Sequence, residues 1–274
     1  MTKFHEKISE ASKINNSLLC IGLDPDPSLM PIKNVFDFNK SIIDATADLI
    51  CCYKPNLAFY EALGMPGLES LQKTIEYIPS HIPVIGDAKR GDIGSTAKAY
   101  AQALFERWGF DAATINPYLG RDSLDPFLEY QDRGILILCH TSNPSAQDFQ
   151  ELKTTDESGQ HLLYEKIAIK ANEWNANDNI GLVVGATYPS QMKTVREICP
   201  DMLILAPGVG TQGGELDGTI QFGMSPNGGG IIINVSRAVL YASADSGSFS
   251  QAARAAASSL KDKINLACSK AMGY

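Results

Sequence analysis

IPVIGDAKRGDIGST, residues 82–96, reads as an apolar run that ends in charge and then opens a helix. Ile82-Pro-Val-Ile-Gly86 has the short apolar length of a buried strand, and Gly94-Ser-Thr96 begins a stretch with helical periodicity. In an extended backbone Asp87 and Lys89 face the same way, because strand side chains alternate with period two. Asp92 falls beyond the strand end. Two carboxylates around one ammonium can keep a lysine charged and aim its proton at one point. The plainer alternatives are that Asp92 or Ser95 caps the helix and that Asp87–Lys89 is a surface pair worth less than about 1 kcal/mol.

The same strand-to-helix alternation recurs along the chain. Strands are predicted at 18–24, 51–56, 83–88, 111–115, 134–139, 180–185, 202–206 and 230–235. Helices are predicted between them at 38–50, 67–78, 94–109, 122–132, 159–176, 188–198, 215–223 and 249–270. Several strand segments are apolar without alternation, as parallel strands buried on both faces require. Eight strand–helix pairs make an α/β chain of the (β/α)8 TIM-barrel type, and residues 1–274 form one domain. A doubly wound sheet competes, although that architecture more often has about five to seven strands. The polar stretch 145–159 is an insertion after the fifth strand. Glycine-rich 207–214 reads as a mobile binding loop, and 227–230 as a connector.

Composition narrows the class. The 274 residues are 44% hydrophobic and 20% charged, a globular balance. No apolar run approaches the roughly 18 residues of a membrane helix, and Met1-Thr-Lys-Phe-His-Glu-Lys7 lacks a signal peptide's apolar core. A cytoplasmic protein is expected. The six cysteines have no C-x-x-C spacing, so buried free thiols are expected rather than zinc sites or disulfides. A net charge of −8 argues against nucleic-acid binding, and an anionic ligand would need local cations such as Lys54, Lys89 and Arg237.

Barrel sites form where strands end at their C-terminal side, so the candidates follow from the strand ends. They are Asp24; Lys54 and Asn56; Asp87 and Lys89; Thr141-Ser-Asn-Pro144; Pro207-Gly-Val-Gly-Thr-Gln-Gly-Gly214; and Ser236-Arg237. The last two stretches suit a phosphate, since glycines let backbone N–H groups approach an anion and an arginine holds two of its oxygens. Turn geometry alone for Gly208 and Gly210, and a solvated surface role for Arg237, are the structural alternatives.

GLDPD (22–26), YKPNLAFYE (53–61), DAKRGDIGST (87–96), TSNPSA (141–146), PGVGTQGG (207–214) and NVSR (234–237) together resemble the orotidine 5′-phosphate decarboxylase family, in its longer bacterial subgroup. The six motifs span nearly the whole chain in order. The resemblance implies decarboxylation of orotidine 5′-phosphate to UMP in de novo pyrimidine synthesis, without metal or organic cofactor, by a homodimer with shared active sites. It makes Lys89 the proton donor to C6, beside Asp87, with Asp92 arriving from the partner subunit. It assigns ribose hydroxyls to Asp24 and Lys54, with Thr96 contributing across the interface. Ser142 then contacts the pyrimidine, Gln212 bridges base and phosphate, Arg237 binds phosphate, and Pro207 and Ser236 complete the substrate-binding set. His140, before TSNP, departs from the arginine or lysine expected in many relatives.

Four rivals stand against it, the weakest a metal-dependent epimerase, because only His140 of the four histidines sits at a strand end. A Schiff-base aldolase needs a neutral lysine, which neighbouring carboxylates disfavour. A β-keto-acid sugar-phosphate decarboxylase shares an Asp-x-Lys-x-x-Asp element but commonly uses Mg2+, and Ser142 and Gln212 suit a pyrimidine better. A non-catalytic sugar-phosphate binder has no need of Asp87 or Asp92.

Overall fold

The computed structural model describes residues 2–157, 159–209 and 213–273, with 213–215 as backbone only. Five strands precede the insertion: β1 Leu19–Leu23, β2 Cys52–Pro55, β3 Ile85–Arg90, β4 Ala112–Ile115 and β5 Gly134–His140. A small hairpin follows, β6 Lys153–Asp156 and β7 Gly159–Leu162, and then β8 Ile180–Val184, β9 Leu203–Pro207 and β10 Ile231–Val235. Eight of them form one parallel sheet in the order β2-β1-β10-β9-β8-β5-β4-β3. Single parallel bridges, Tyr53 to Val84 and Asn56 to Asp87, join the two outer strands and close the barrel.

The core has two layers. Outward residues such as Ile21, Tyr53, Ile135, Leu182 and Ile233 are buried against the surrounding helices. Inside, Cys20, Cys52, Ile85, Ala112, Leu136, Val183, Leu205 and Ile232 form a second apolar cluster. Phe4 and Ile8 of the helix Phe4–Asn15 join that cluster. The N-terminal helix therefore plugs the end of the barrel where the strands begin. Polar side chains occupy the opposite mouth.

All eight predicted strands are present, with ends shifted by one or two residues. The helices differ more. Phe4–Asn15 was not expected, and residues 159–162 pair as β7 instead of starting a helix. The helix there is Leu163–Trp174, because the Glu165 side chain accepts the Leu162 N–H at 2.9 Å and sets the first turn. The span 122–132 contracts to a 3-10 turn, Arg121–Ser123, and the helix Asp125–Leu128. The helix Gly94–Gln102 continues through a π turn, Ala103–Arg107. All six cysteines are free, five buried and Cys268 half-buried. Among the described residues no helix is long and apolar enough to cross a membrane.

Candidate active site

Lys54 of β2 and Asp87 of β3 project into the barrel mouth above the inner apolar cluster. Lys54 Nζ lies 2.8 Å from Asp87 Oδ2, and Lys89 Nζ lies 2.5 Å from Asp87 Oδ1. Thr114 Oγ1 on β4 also donates to Asp87 Oδ1, at 2.9 Å. Both carboxylate oxygens are thereby fixed. The Lys54 side chain is 4% exposed and that of Asp87 9%, whereas Lys89 is 47% exposed and open to the cleft. Burial alone would push the Asp87 carboxyl upward. The charges and hydrogen bonds of Lys54 and Lys89 outweigh it and hold Asp87 well below the usual carboxylate range. Burial likewise opposes the Lys54 charge, but Asp87 and Asp24 outweigh it and raise Lys54 above an ordinary lysine. The cluster is an alternating array of fixed charges with one exposed end, Lys89.

Lys89 does not sit in the extended backbone that period-two reasoning assumes. Its φ is +47°, in the left-handed region, and the β3–β4 register shifts between Gly86 and Arg90. Thr114 Oγ1 accepts the Lys89 N–H at 3.0 Å, and the Asn116 N–H donates to Arg90 O at 2.8 Å. This bulge returns the Lys89 ammonium to the Asp87 carboxylate. Thr114 was not among the sequence candidates. Its signal was the lone hydroxyl in the apolar strand Ala112–Ile115, which also reads as an ordinary β-former.

Two adjoining cavities open here. One, of about 380 Å3, is lined by Lys54, Asp87, Lys89, Thr114, Ser142 and Pro207. The other, of about 640 Å3, is lined by Asp24, Asn56, Ser142, Gly208, Asn234 and Arg237, with Ser236 and Tyr241 beside them. Ser142 borders both. Two glycines make room. A Cβ at Gly22 would strike the Ser236 hydroxyl, and one at Gly185 would come within 2.7–2.8 Å of the Ser142 backbone. Asp24 Oδ1 is buried with no hydrogen-bond partner among the described residues. A buried unpaired carboxylate oxygen is costly, so a ligand donor fits there. Arg237 is exposed and has no salt-bridge partner among the described residues. A separate cavity of about 400 Å3 lies at the far end of the barrel, under the N-terminal helix, away from this charge array.

Asp92 and Thr96 are not brought to the cluster within one chain. Among the described residues Asp92 Oδ1 accepts only the neighbouring Ile93 N–H, at 2.8 Å, and Thr96 is exposed on the helix Gly94–Gln102. Neither Asp92 nor Ser95 caps that helix, whose first turn has no side-chain cap. The capping alternative is therefore removed. Gln212, Gly210 and the centre of the glycine-rich loop lie outside the described residues.

His140 is fully buried under the Ser142 loop, between the edges of Tyr164 and Tyr188 at ring distances of 5.1 and 4.9 Å. Its Nε2 is 3.2 Å from Glu151, while Nδ1 has no partner among the described residues. Burial pushes its imidazole below the ordinary value despite Glu151. Gln150 completes the support, accepting the Thr141 N–H at 2.8 Å. The His140–Glu151 and Thr141–Gln150 contacts thus anchor the insertion to the end of β5.

Residues 17–252 match the family described as Orotidine 5′-phosphate decarboxylase / HUMPS family. An orotidine 5′-phosphate decarboxylase of Dehalococcoides mccartyi is 53% identical over 264 residues, covering 96% of this chain and 97% of the relative. That of Cellvibrio japonicus is 51% identical, covering 96% and 98%. The solved OMP decarboxylase of Leishmania donovani superposes with a TM-score of 0.86 at 39% identity, covering 97% of this chain and 99% of that one. The UMP synthase of the same organism gives 0.88 at 40% identity, with 98% of this chain matched to 57% of that one.

Proposed function

The chain belongs to the orotidine 5′-phosphate decarboxylase / HUMPS family, and from that premise we propose that it converts orotidine 5′-phosphate to UMP and CO2, with Lys89 as the proton donor. The observation that carries this reading is the Lys54–Asp87–Lys89 array at the barrel mouth. Breaking the bond from C6 to the carboxylate leaves an electron pair in an in-plane orbital that the pyrimidine π system cannot delocalise. Stabilisation must come from charge already in place. The Lys89 ammonium supplies it, and then delivers its proton to C6 and is reprotonated from solvent.

Binding energy from the far end of the substrate holds the reacting carbon against that array. Arg237, Ser236 and the start of the glycine-rich loop after Pro207 take the phosphate. The unpaired Asp24 oxygen and Lys54 take ribose hydroxyls, and Ser142 meets the base between the two cavities. Gln212 is assigned to bridge base and phosphate. This chemistry calls for no metal or organic cofactor.

Each site is completed in a homodimer by Asp92 and Thr96 of the partner subunit. Support for that face comes from exposed Ile93 and Tyr118, 58% and 84% accessible, on segments that meet where Gly91 packs on Asn116. Exposed apolar groups of this size around a charged residue suit an interface. The test of the function is the ultraviolet absorbance of orotidine 5′-phosphate after adding EDTA-treated protein. The expected result is catalytic loss of the substrate spectrum with UMP as product. Unchanged substrate at stoichiometric enzyme sinks the reading.

A further inference from the structure

Tyr241 lines the larger cavity together with Asp24 and Arg237. Its hydroxyl accepts the Asp26 N–H at 2.7 Å and donates to Asp24 O at 2.8 Å, so one oxygen clamps the backbone on both sides of Pro25. The Asp26 side chain is turned away to Ser28, bonding its N–H at 2.9 Å and its hydroxyl at 2.6 Å. The Tyr241 ring stacks on Phe38, at 6.0 Å and 9° between planes, and Phe38 stacks on Phe249 at 5.6 Å. Both phenylalanines are buried, so the stack packs one face of the Tyr241 ring onto the core. Tyr241 also lies one turn beyond Arg237, to whose carbonyl its N–H donates at 3.1 Å.

We infer that Tyr241 is a positioning residue that aims Asp24 at a ribose hydroxyl and ties it to the phosphate-binding turn. The inference rests on the reading of Asp24 as a ribose ligand. Asp24 Oδ1 has no hydrogen-bond partner among the described residues, so its direction depends on the backbone that carries it. That backbone is held by the Tyr241 hydroxyl. The same residue begins where the short helix Arg237–Leu240 ends. A nucleotide phosphate seated on Arg237 and a hydroxyl seated on Asp24 are thus gripped by two parts of one locked unit. The ligand class is a nucleoside monophosphate with an intact ribose.

Tyr241→Phe keeps the ring stack and removes only the clamp. Competitive inhibition by UMP, 2′-deoxyUMP and 3′-deoxyUMP is measured for the wild type, Tyr241→Phe, Asp24→Ala and the double variant. The wild type should prefer UMP to the analogue lacking the Asp24-facing hydroxyl by about tenfold. Tyr241→Phe should weaken UMP roughly three- to tenfold and leave that analogue within about twofold. In the Asp24→Ala background the second substitution should change nothing, the non-additivity expected of two residues in one unit. Equal weakening of UMP and both analogues would make Tyr241 a general support of the pocket and overturn the inference. Unchanged UMP affinity in Tyr241→Phe would overturn it as well. If Asp24→Ala binds UMP as the wild type does, the ribose reading of Asp24 falls first, whatever Tyr241→Phe does.

Discussion

Lys89, the proposed proton donor, is also one of three non-glycine residues at positive φ among those described, with Asn16 and Asp178. A residue with a Cβ in the left-handed region costs about 1–2 kcal/mol, offset here by its N–H bond to Thr114 and by the ion pair with Asp87. Lys89→Ala and Lys89→Gly both delete the ammonium, and each should lower turnover by at least about a hundredfold while UMP still binds. They should differ in stability. Glycine usually destabilises relative to alanine, but at φ +47° its freedom outweighs the extra entropy of its unfolded chain. Urea denaturation should show Lys89→Gly more stable than Lys89→Ala by about 0.5–1 kcal/mol. The reverse order would mean the bulge is unstrained. Asp87 gives a pH signature. Its carboxyl is depressed when folded, so near pH 3–4 the unfolded chain binds more protons than the folded one. Its stabilisation is fully present above about pH 5 and is lost as pH falls toward the folded-state value. Asp87→Asn lacks this contribution, and its stability should fall less steeply than the wild type's between about pH 5 and 2. Parallel slopes would show that Asp87 is not held by its cations. The convergence of Asp24, Lys54, Asp87 and Lys89 was legible because each ends an apolar strand. The bulge at Lys89 was not, since it depends on Thr114 of the neighbouring strand, a contact that no local pattern encodes.

At the scale of elements, the parallel strands were legible because burial on both faces makes them continuous apolar runs, as in Ile231–Val235. The N-terminal helix carried the right spacing, with Phe4, Ile8 and Ala11 buried at steps of four and three, but it is short and set among charges. The β6–β7 hairpin has almost no apolar content and is held by its ladder and by the Thr154 hydroxyl on His161 O at 2.9 Å, so hydropathy could not signal it. Arg196 was missed for another reason. It lies on the helix Pro189–Ile198, 7% exposed, and among the described residues its guanidinium serves only carbonyls, those of Cys199, Pro200, Met202, Gly223 and Gly230. These are the end of its own helix, the approach to β9, the end of the helix Gly213–Gly223 and the connector into β10. Burial lowers Arg196 to about 10, yet it remains charged at neutral pH. Arg196→Met keeps the volume but strands several carbonyls at once. The expected loss is about 3–5 kcal/mol in urea denaturation, of the size seen when one member of a buried charged network is removed. A loss below about 1 kcal/mol would mean that water replaces the guanidinium without cost.

At the scale of the whole molecule, one barrel holds Asp24, Lys54, Asp87, Lys89 and Arg237 at a single mouth and leaves Asp92 outside it, accepting the Ile93 N–H. Convergence within one chain is a property of the barrel, and a strand-by-strand reading captures it. Completion by a second chain is a property of assembly, and for that the sequence offered only the resemblance. The shared-site proposal nevertheless has a sharp consequence. If each site combines Asp87 and Lys89 of one subunit with Asp92 of the other, both sites of a Lys89→Ala homodimer are damaged, and so are both sites of an Asp92→Ala homodimer. After subunit exchange between equal amounts of the two, about half the dimers are hybrids, as a twofold assembly requires. In a hybrid, the site with the altered Lys89 also receives the altered Asp92, and the other site is wild type in both. About a quarter of all sites should therefore regain full activity, measured as recovered turnover against an equal concentration of wild-type protein. If Asp92 serves its own chain instead, every hybrid site carries one lesion and mixing restores nothing. Exchange is established independently by mass labelling of one variant. With exchange complete, recovery near zero excludes Asp92 acting across the interface, and recovery near one quarter requires it.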